Sequence, residues 1–195
     1  MSAEKENSMA KQVWKGGALL APLPAVLVTT GDMAHADVAT VAWTGIVNTQ
    51  PPKTYISLRK SRYSYELLEK SGECVINLTT AEMARKVDKF AKCGFTKTAA
   101  SAVAAPLIAE SPLSLECRVI RAEELGTHVM FLCDIVATDV DDSLLDAAGA
   151  LDLSRAHLMT YAHGEYFALG KKIGKFGFSA AKKKKKPLPK KEQTQ

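Results

Sequence analysis

The stretch Thr54–Asn77, "TYISLRKSRYSYELLEKSGECVIN", decides how the rest of the chain is read. It opens on an extended run with Tyr55, Ile56 and Leu58. It passes at once into Arg59, Lys60, Ser61, Arg62 and Ser64, and then into a helical pattern. Ser61 is placed to cap a helix over 62–70, Tyr65 and Leu68 share one face, and Gly72 stops it. The final "ECVIN" is a second β-type run. A strand that ends where a helix begins points several free backbone N–H groups, and the positive end of the helix dipole, at one place. Such a terminus suits phosphate. Arg59 and Arg62 add planar guanidinium forks, and Ser57, Ser61 and Ser64 add hydroxyls. On this stretch alone two readings stand side by side, a solvated turn and an anion site.

Working outward, the pattern of strands repeats. "PAVLVTTGD" (24–32), "ATVAWTGIVN" (39–48), "TYISLR" (54–59), "ECVINLTT" (73–80), "SLECRVIRAEEL" (114–125) and "HVMFLCDIVATDVDD" (128–142) are six β-type runs. "TQPPK" (49–53) is a breaker loop, and "GTH" (126–128) is a hairpin turn. "AEMARKVDKFAK" (81–92) has Met83, Val87 and Phe90 at helical spacing. "DAAGALD" (146–152) is a turn of helix or a loop. Many strands, few helices and no β-helix-β rhythm point to a mainly β fold, a closed antiparallel barrel with short decorating helices.

Bulk composition sets the outer limits. The 195 residues are 47% hydrophobic, enough for one domain with a real core. Residues 1–12 read as a flexible leading segment, 13–181 as the domain, and 182–195 as a disordered lysine-rich tail. That tail holds seven lysines and one glutamate, so the formal charge of +5 belongs to it and the remainder is close to neutral. It has no interleaved aromatics for base stacking, so nucleic acid is not an expected partner. No apolar run approaches the ~20 residues of a membrane span. No signal-peptide pattern is seen, and the expected location is the cytoplasm. Cys74, Cys117 and Cys133 sit in apolar runs and read as buried thiols, while Cys93 lies in a polar loop. The four histidines are scattered and no metal-ligand spacing occurs. There is no dinucleotide fingerprint after a strand, no Walker spacing and no assembled catalytic triad. Any hard chemistry would belong to a cofactor, with no catalytic side chain.

A second segment adds to the anion-site reading. "WTGIVNTQPP" (43–52) brings Trp43, Thr44, Gly45 and Asn48 to a Pro-Pro turn, with a glycine where a strand bulges. Unpaired backbone groups there suit the polar edge of a flat heterocycle. From spacing alone, a plain strand and loop is the better reading.

Taken together, "PLPAVLVTTGD", the Trp-Thr-Gly strand ending in Pro-Pro, and "YISLRKSRYSYELLEKSGECVINL" resemble the flavin reductase-like family, most of all its flavoredoxin branch. "VDKFAKCGFTKT", "APLIAESPLSLECRV", "GTHVMFLCDIV" and "YAHGEYFALGKKIGKFGFS" follow in that family's order, so the resemblance spans about residues 13–179. It implies a six-stranded FMN-binding split barrel, usually a homodimer with FMN near the subunit interface. It implies that the strand with Trp43, Thr44, Gly45, Ile46 and Asn48 lines the isoalloxazine ring. It implies a phosphate clamp at Ser57, Arg59, Arg62 and Ser64, with Leu58 and Tyr65 as further cofactor-binding residues and Asn77, Thr79, Lys89 and Thr96 near the flavin. Tyr161 and His163 are further contact candidates. NAD(P)H is the implied reductant, and a redox protein is the implied partner of a carrier version. The lysine tail, and Lys60 where some branches have proline, depart from the family pattern.

Overall fold

The computed structural model describes residues 11–87 and 94–179. Lys89, Cys93, the end of the expected helix over 81–92 and the lysine-rich tail lie outside the described residues. The strands are β1 (Leu23–Pro24), β2 (Val26–Gly31), β3 (Ala36–Val41), β4 (Thr44–Thr49), β5 (Pro52–Leu58), β6 (Glu73–Leu78), β7 (Lys97–Thr98), β8 (Leu107–Ile108), β9 (Leu113–Glu124), β10 (Val129–Val140), β11 (Met159–Ala162) and β12 (Glu165–Ala168). The helices are α1 (Tyr63–Ser71) and the short α2 (Ala84–Val87). The expected barrel is present: mainly β, antiparallel, with few short helices.

The main sheet runs β3-β2-β6-β9-β10-β5-β4. Its two end strands, β3 and β4, are halves of one stretch of chain, separated only by Ala42 and Trp43. The sheet therefore curls until its ends meet in a single bent strand. Counted this way, six strands make the ring. The first half of the bent strand pairs with β2 and the second half with β5, so each half has a partner on one side only. A register shift between Ile46 and Asn48, just after Gly45, marks the expected bulge. A smaller sheet, β1-β11-β12, lies alongside.

The period-2 alternation sends one face of each strand inward. Val26, Val28, Val41, Ile56, Ile76, Val129 and Phe131 form the barrel core, with Leu68 of α1 entering from the helix. Burial of each such side chain contributes about 1.5–3 kcal/mol. Cys74, Cys117 and Cys133 are free and buried there. Contact with the other two thiols, together with burial, pushes the Cys74 thiol well above its usual range. No helix among the described residues is long and apolar enough to cross a membrane.

Two details of the frame matter later. Helix α1 starts one residue beyond the expected point. Arg62 takes the N-cap position with extended backbone and no side-chain cap, because the chain turns through Arg59–Arg62 with the Arg62 N–H donating to the Arg59 carbonyl at 3.0 Å. The second is the loop after β7. The carboxylate of Glu116, on β9 and wholly buried, accepts from the N–H groups of Ser101, Ala102 and Val103 at 2.8, 2.6 and 3.0 Å and from the Ser101 hydroxyl at 2.6 Å. Glu73 holds the Ala104 N–H at 2.8 Å, and Arg118 donates to Glu73 at 3.1 Å.

The β2–β3 hairpin gives a first prediction. Gly31 has φ +88°, and a Cβ there would lie 2.1 Å from the His35 carbonyl oxygen. The turn is fixed by the Asp32 carboxylate, which accepts from the Ala34 and His35 N–H groups at 2.8 and 2.7 Å. Gly31→Ala must open this turn, and is expected to cost about 2–3 kcal/mol in urea unfolding. An unchanged midpoint would show that the turn relaxes freely.

Candidate functional site

The split in the barrel creates the site. The backbone N–H of Ser57 donates to the Trp43 carbonyl at 2.9 Å, as the last rung between the bent strand and β5. Beyond it, β3 swings away to pair with β2. The rim of β3 turned away from β2 has no strand partner among the described residues. A cleft of about 320 Å³ opens there. Ala39, Thr40, Val41, Ala42 and Trp43 form one side, and Ser57, Leu58, Arg59 and Arg62 the other. Ala25, His128, Tyr161 and Tyr166 complete it.

The two sides differ in chemistry. The β5–α1 connection supplies Arg59 and Arg62, both exposed, next to the Ser57 hydroxyl. Across the cleft the rings form a connected cluster. Trp43 lies parallel to His128 with centroids 6.3 Å apart, and 6.1 Å from Tyr161, which meets Tyr166 edge-on at 5.9 Å. Small residues (Ala25, Ala39, Ala42) leave room between them. The arrangement suits a flat aromatic body carrying an anionic group.

Other residues singled out from the sequence have different surroundings. Thr44 is buried, and its hydroxyl donates to the Tyr55 carbonyl at 2.6 Å. The Gly45 carbonyl accepts from Thr54 at 2.9 Å. Ile46 is exposed, and Asn48 donates to the Pro51 carbonyl at 2.7 Å. Ser64 is buried and donates to Asp37. The Tyr65 hydroxyl donates to Glu69 at 2.6 Å, and its ring packs on Phe131. Asn77 is buried, donating to the Leu27 carbonyl and accepting from the Ile108 N–H and the Ser114 hydroxyl. Thr79 donates to the carbonyl of Ala25, which does line the cleft. Thr96 is tied to Glu110 and borders a separate cleft. Lys89 lies outside the described residues.

Thus Trp43, Ser57, Leu58, Arg59, Arg62 and Tyr161 meet at one cleft, and the other candidates among the described residues do not line it. Sequence reasoning missed His128, Ala39 and Tyr166. His128 follows the Gly126–Thr127 turn, which brings it opposite the end of β5, where Val129 pairs with Leu58. Among the described residues no group of three or more His, Cys, Asp or Glu is placed to hold a metal.

The flavin reductase-like domain model matches residues 19–170, most of the chain. The chain belongs to the flavin reductase-like family. This family of flavin-binding proteins includes flavoredoxins and NAD(P)H-dependent flavin reductases. Among solved structures, this flavin reductase-like chain is similar to the flavoredoxin of Desulfovibrio vulgaris (Miyazaki F). The two share 30% identity over 89% of this chain and all of the other, with a TM-score of 0.79. It is also similar to a flavoredoxin from Methanosarcina acetivorans, at 25% identity over 88% of this chain and all of the other, with a TM-score of 0.78. An uncharacterised protein of Archaeoglobus fulgidus is 27% identical over 159 residues, covering 76% of this chain and 88% of its own.

Proposed function

We propose that the cleft at the barrel split binds FMN, and that the protein moves electrons from NAD(P)H through FMN to an acceptor. The observation that carries this reading is the pairing, in one cleft, of Arg59, Arg62 and Ser57 with a partnerless strand rim and a cluster of rings. The donor set fits the group. Arg59, Arg62 and Ser57 hold the monophosphate, while the backbone of Ala39–Trp43 and the rings of Trp43 and Tyr161 hold the flat heterocycle. Bound FMN supplies reversible hydride and single-electron chemistry. This chain's residues bind it, fix its orientation and leave one face accessible. No side chain is assigned as a general acid or base.

A second reading keeps FMN and replaces NAD(P)H by a protein donor. The likeness to two flavoredoxins favours it. Anaerobic stopped-flow on the FMN-loaded protein separates the two. Rapid bleaching of the flavin by NADH or NADPH is expected. No bleaching by either nucleotide, with reduction by a ferredoxin-type carrier, would replace the first reading with the second. A protein that fails to take up FMN at all would remove both.

The reading includes a homodimer. Ile46 and Val47 on β4 and Ile173 and Phe176 near the end of the described chain present apolar surface to solvent, of the kind a second copy would cover. Sedimentation of the FMN-loaded protein as a dimer is the expected result.

A further inference from the structure

A second cleft, of about 270 Å³, shares Trp43 and Tyr161 with the first. Leu19, Leu20 and Leu23 line it together with His163, Leu19 and Leu20 being 52% and 81% exposed. Among the described residues no lysine, arginine, aspartate or glutamate lines it. In this it is unlike the first cleft, where two guanidinium groups set the charge.

We propose that this second cleft binds a small, uncharged, planar carbonyl compound of the quinone type. Leucine and aromatic walls favour an apolar flat body. The absence of fixed cations disfavours phosphate-bearing ligands, a dinucleotide among them. His163 supplies the hydrogen-bond donor that a carbonyl needs. His163 and Gly164 form the turn between β11 and β12, with φ +47° and +90°. Histidine is one of the few non-glycine residues that enter this left-handed region readily, so the turn presents the imidazole at low backbone cost.

Binding at this cleft does not depend on a flavin. The ligand's role does rest on the FMN reading: Trp43 and Tyr161 line both clefts, a proximity that suits an electron acceptor.

The test uses duroquinone, whose ring positions are blocked against thiol addition. The chain has two tryptophans, Trp14 and Trp43. Trp14 is 76% exposed and precedes β1, so Trp14→Phe leaves Trp43 as sole reporter. Titration of flavin-free Trp14→Phe protein should quench Trp43 emission saturably, at one quinone per chain. His163→Gly in that background should weaken the quinone about tenfold, the value of one lost hydrogen bond. Its thermal midpoint should stay close to the parent's, because glycine adopts the same turn conformation. Leu20→Asp should weaken the quinone to a similar degree by placing a charge on the apolar face. FMN affinity should stay within twofold of the parent in both variants. Absence of saturable quenching, unchanged affinity in both variants, or displacement of the quinone by FMN would each overturn the assignment. FMN uptake is measured separately, so loss of the quinone site leaves the FMN reading standing, and the reverse also holds.

Discussion

Replacing Arg59 and Arg62 together by glutamine is expected to lower the affinity for FMN, the proposed cofactor, by about two orders of magnitude, while riboflavin, which lacks the phosphate, should bind the variant and the parent alike. A charge-assisted hydrogen bond contributes about 1.5–3 kcal/mol, and two exposed ones, discounted for solvent screening, come to roughly 3 kcal/mol. Both side chains are exposed and flank the cleft. Arg62 also occupies the N-cap of α1, but through its backbone and without a side-chain cap. The variant is therefore expected to unfold at nearly the parent midpoint. Parental binding should weaken with added salt, and the variant should lose most of that dependence. Ser64→Ala is the matched control. Its hydroxyl is committed to Asp37 and does not line the cleft, so FMN affinity is expected to stay within twofold. Fluorescence titration of FMN with the three proteins at two salt concentrations checks all of this. Equal FMN affinity in the double variant and the parent would remove the phosphate clamp from the argument.

The second large effect concerns stability. Glu116→Ala is expected to cost about 3–5 kcal/mol in urea unfolding and to raise hydrogen exchange at residues 101–103. Three backbone N–H groups lose their acceptor at once, each worth about 1–3 kcal/mol if left unpaired, with water entering the space to recover part. The effect depends on pH. Burial pushes the Glu116 carboxyl up, but the hydrogen bonds from Ser101, Ala102 and Val103 outweigh it and hold the group below its ordinary range. A lowered carboxyl stabilises the fold above the ordinary carboxylate pKa, and that contribution is lost as pH falls through the lowered folded value. Asp139 behaves in the opposite sense. Burial, and then the charge of Glu116, push its carboxyl up, so its cost appears as pH rises through the raised value. Asp139→Asn is accordingly expected to stabilise the protein at neutral pH and to make no difference in acid. The difference between parent and Glu116→Ala should shrink on acidification. A difference independent of pH would mean that packing, and not the carboxylate, is what the alanine removes.

Much of the ring of strands can be read from the chain, because β-branched and apolar residues mark each run and Gly or Pro flanks most of them. The bend that closes the ring cannot. The run over 39–48 stays extended in pattern across Ala42 and Trp43, with neither glycine nor proline at the bend, and only its two partners, β2 and β5, show that it turns. The cationic turn at 57–62 is legible because strand, cations and helix start are adjacent in sequence. Ser64 reads as part of the same cluster, yet its partner Asp37 lies 27 residues away and draws it elsewhere. Glu116 looks like one more strand residue, since the N–H groups that account for its burial come from a loop 13–15 residues earlier. The β11–β12 hairpin, with Tyr161, His163 and Tyr166, is short and carries no strong alternation, so its place beside Trp43 emerges only from the packing.

The partnerless rim of β3 has one more consequence. A strand side with unused backbone groups is a template on which another extended chain can grow, the route to aggregation that natural sheets block with nearby charge. Asp37 within that strand, and Arg59 and Arg62 beside it, stand where such charges are needed. Neutralising the two arginines is therefore expected to leave the protein more prone to precipitate when the cleft is empty.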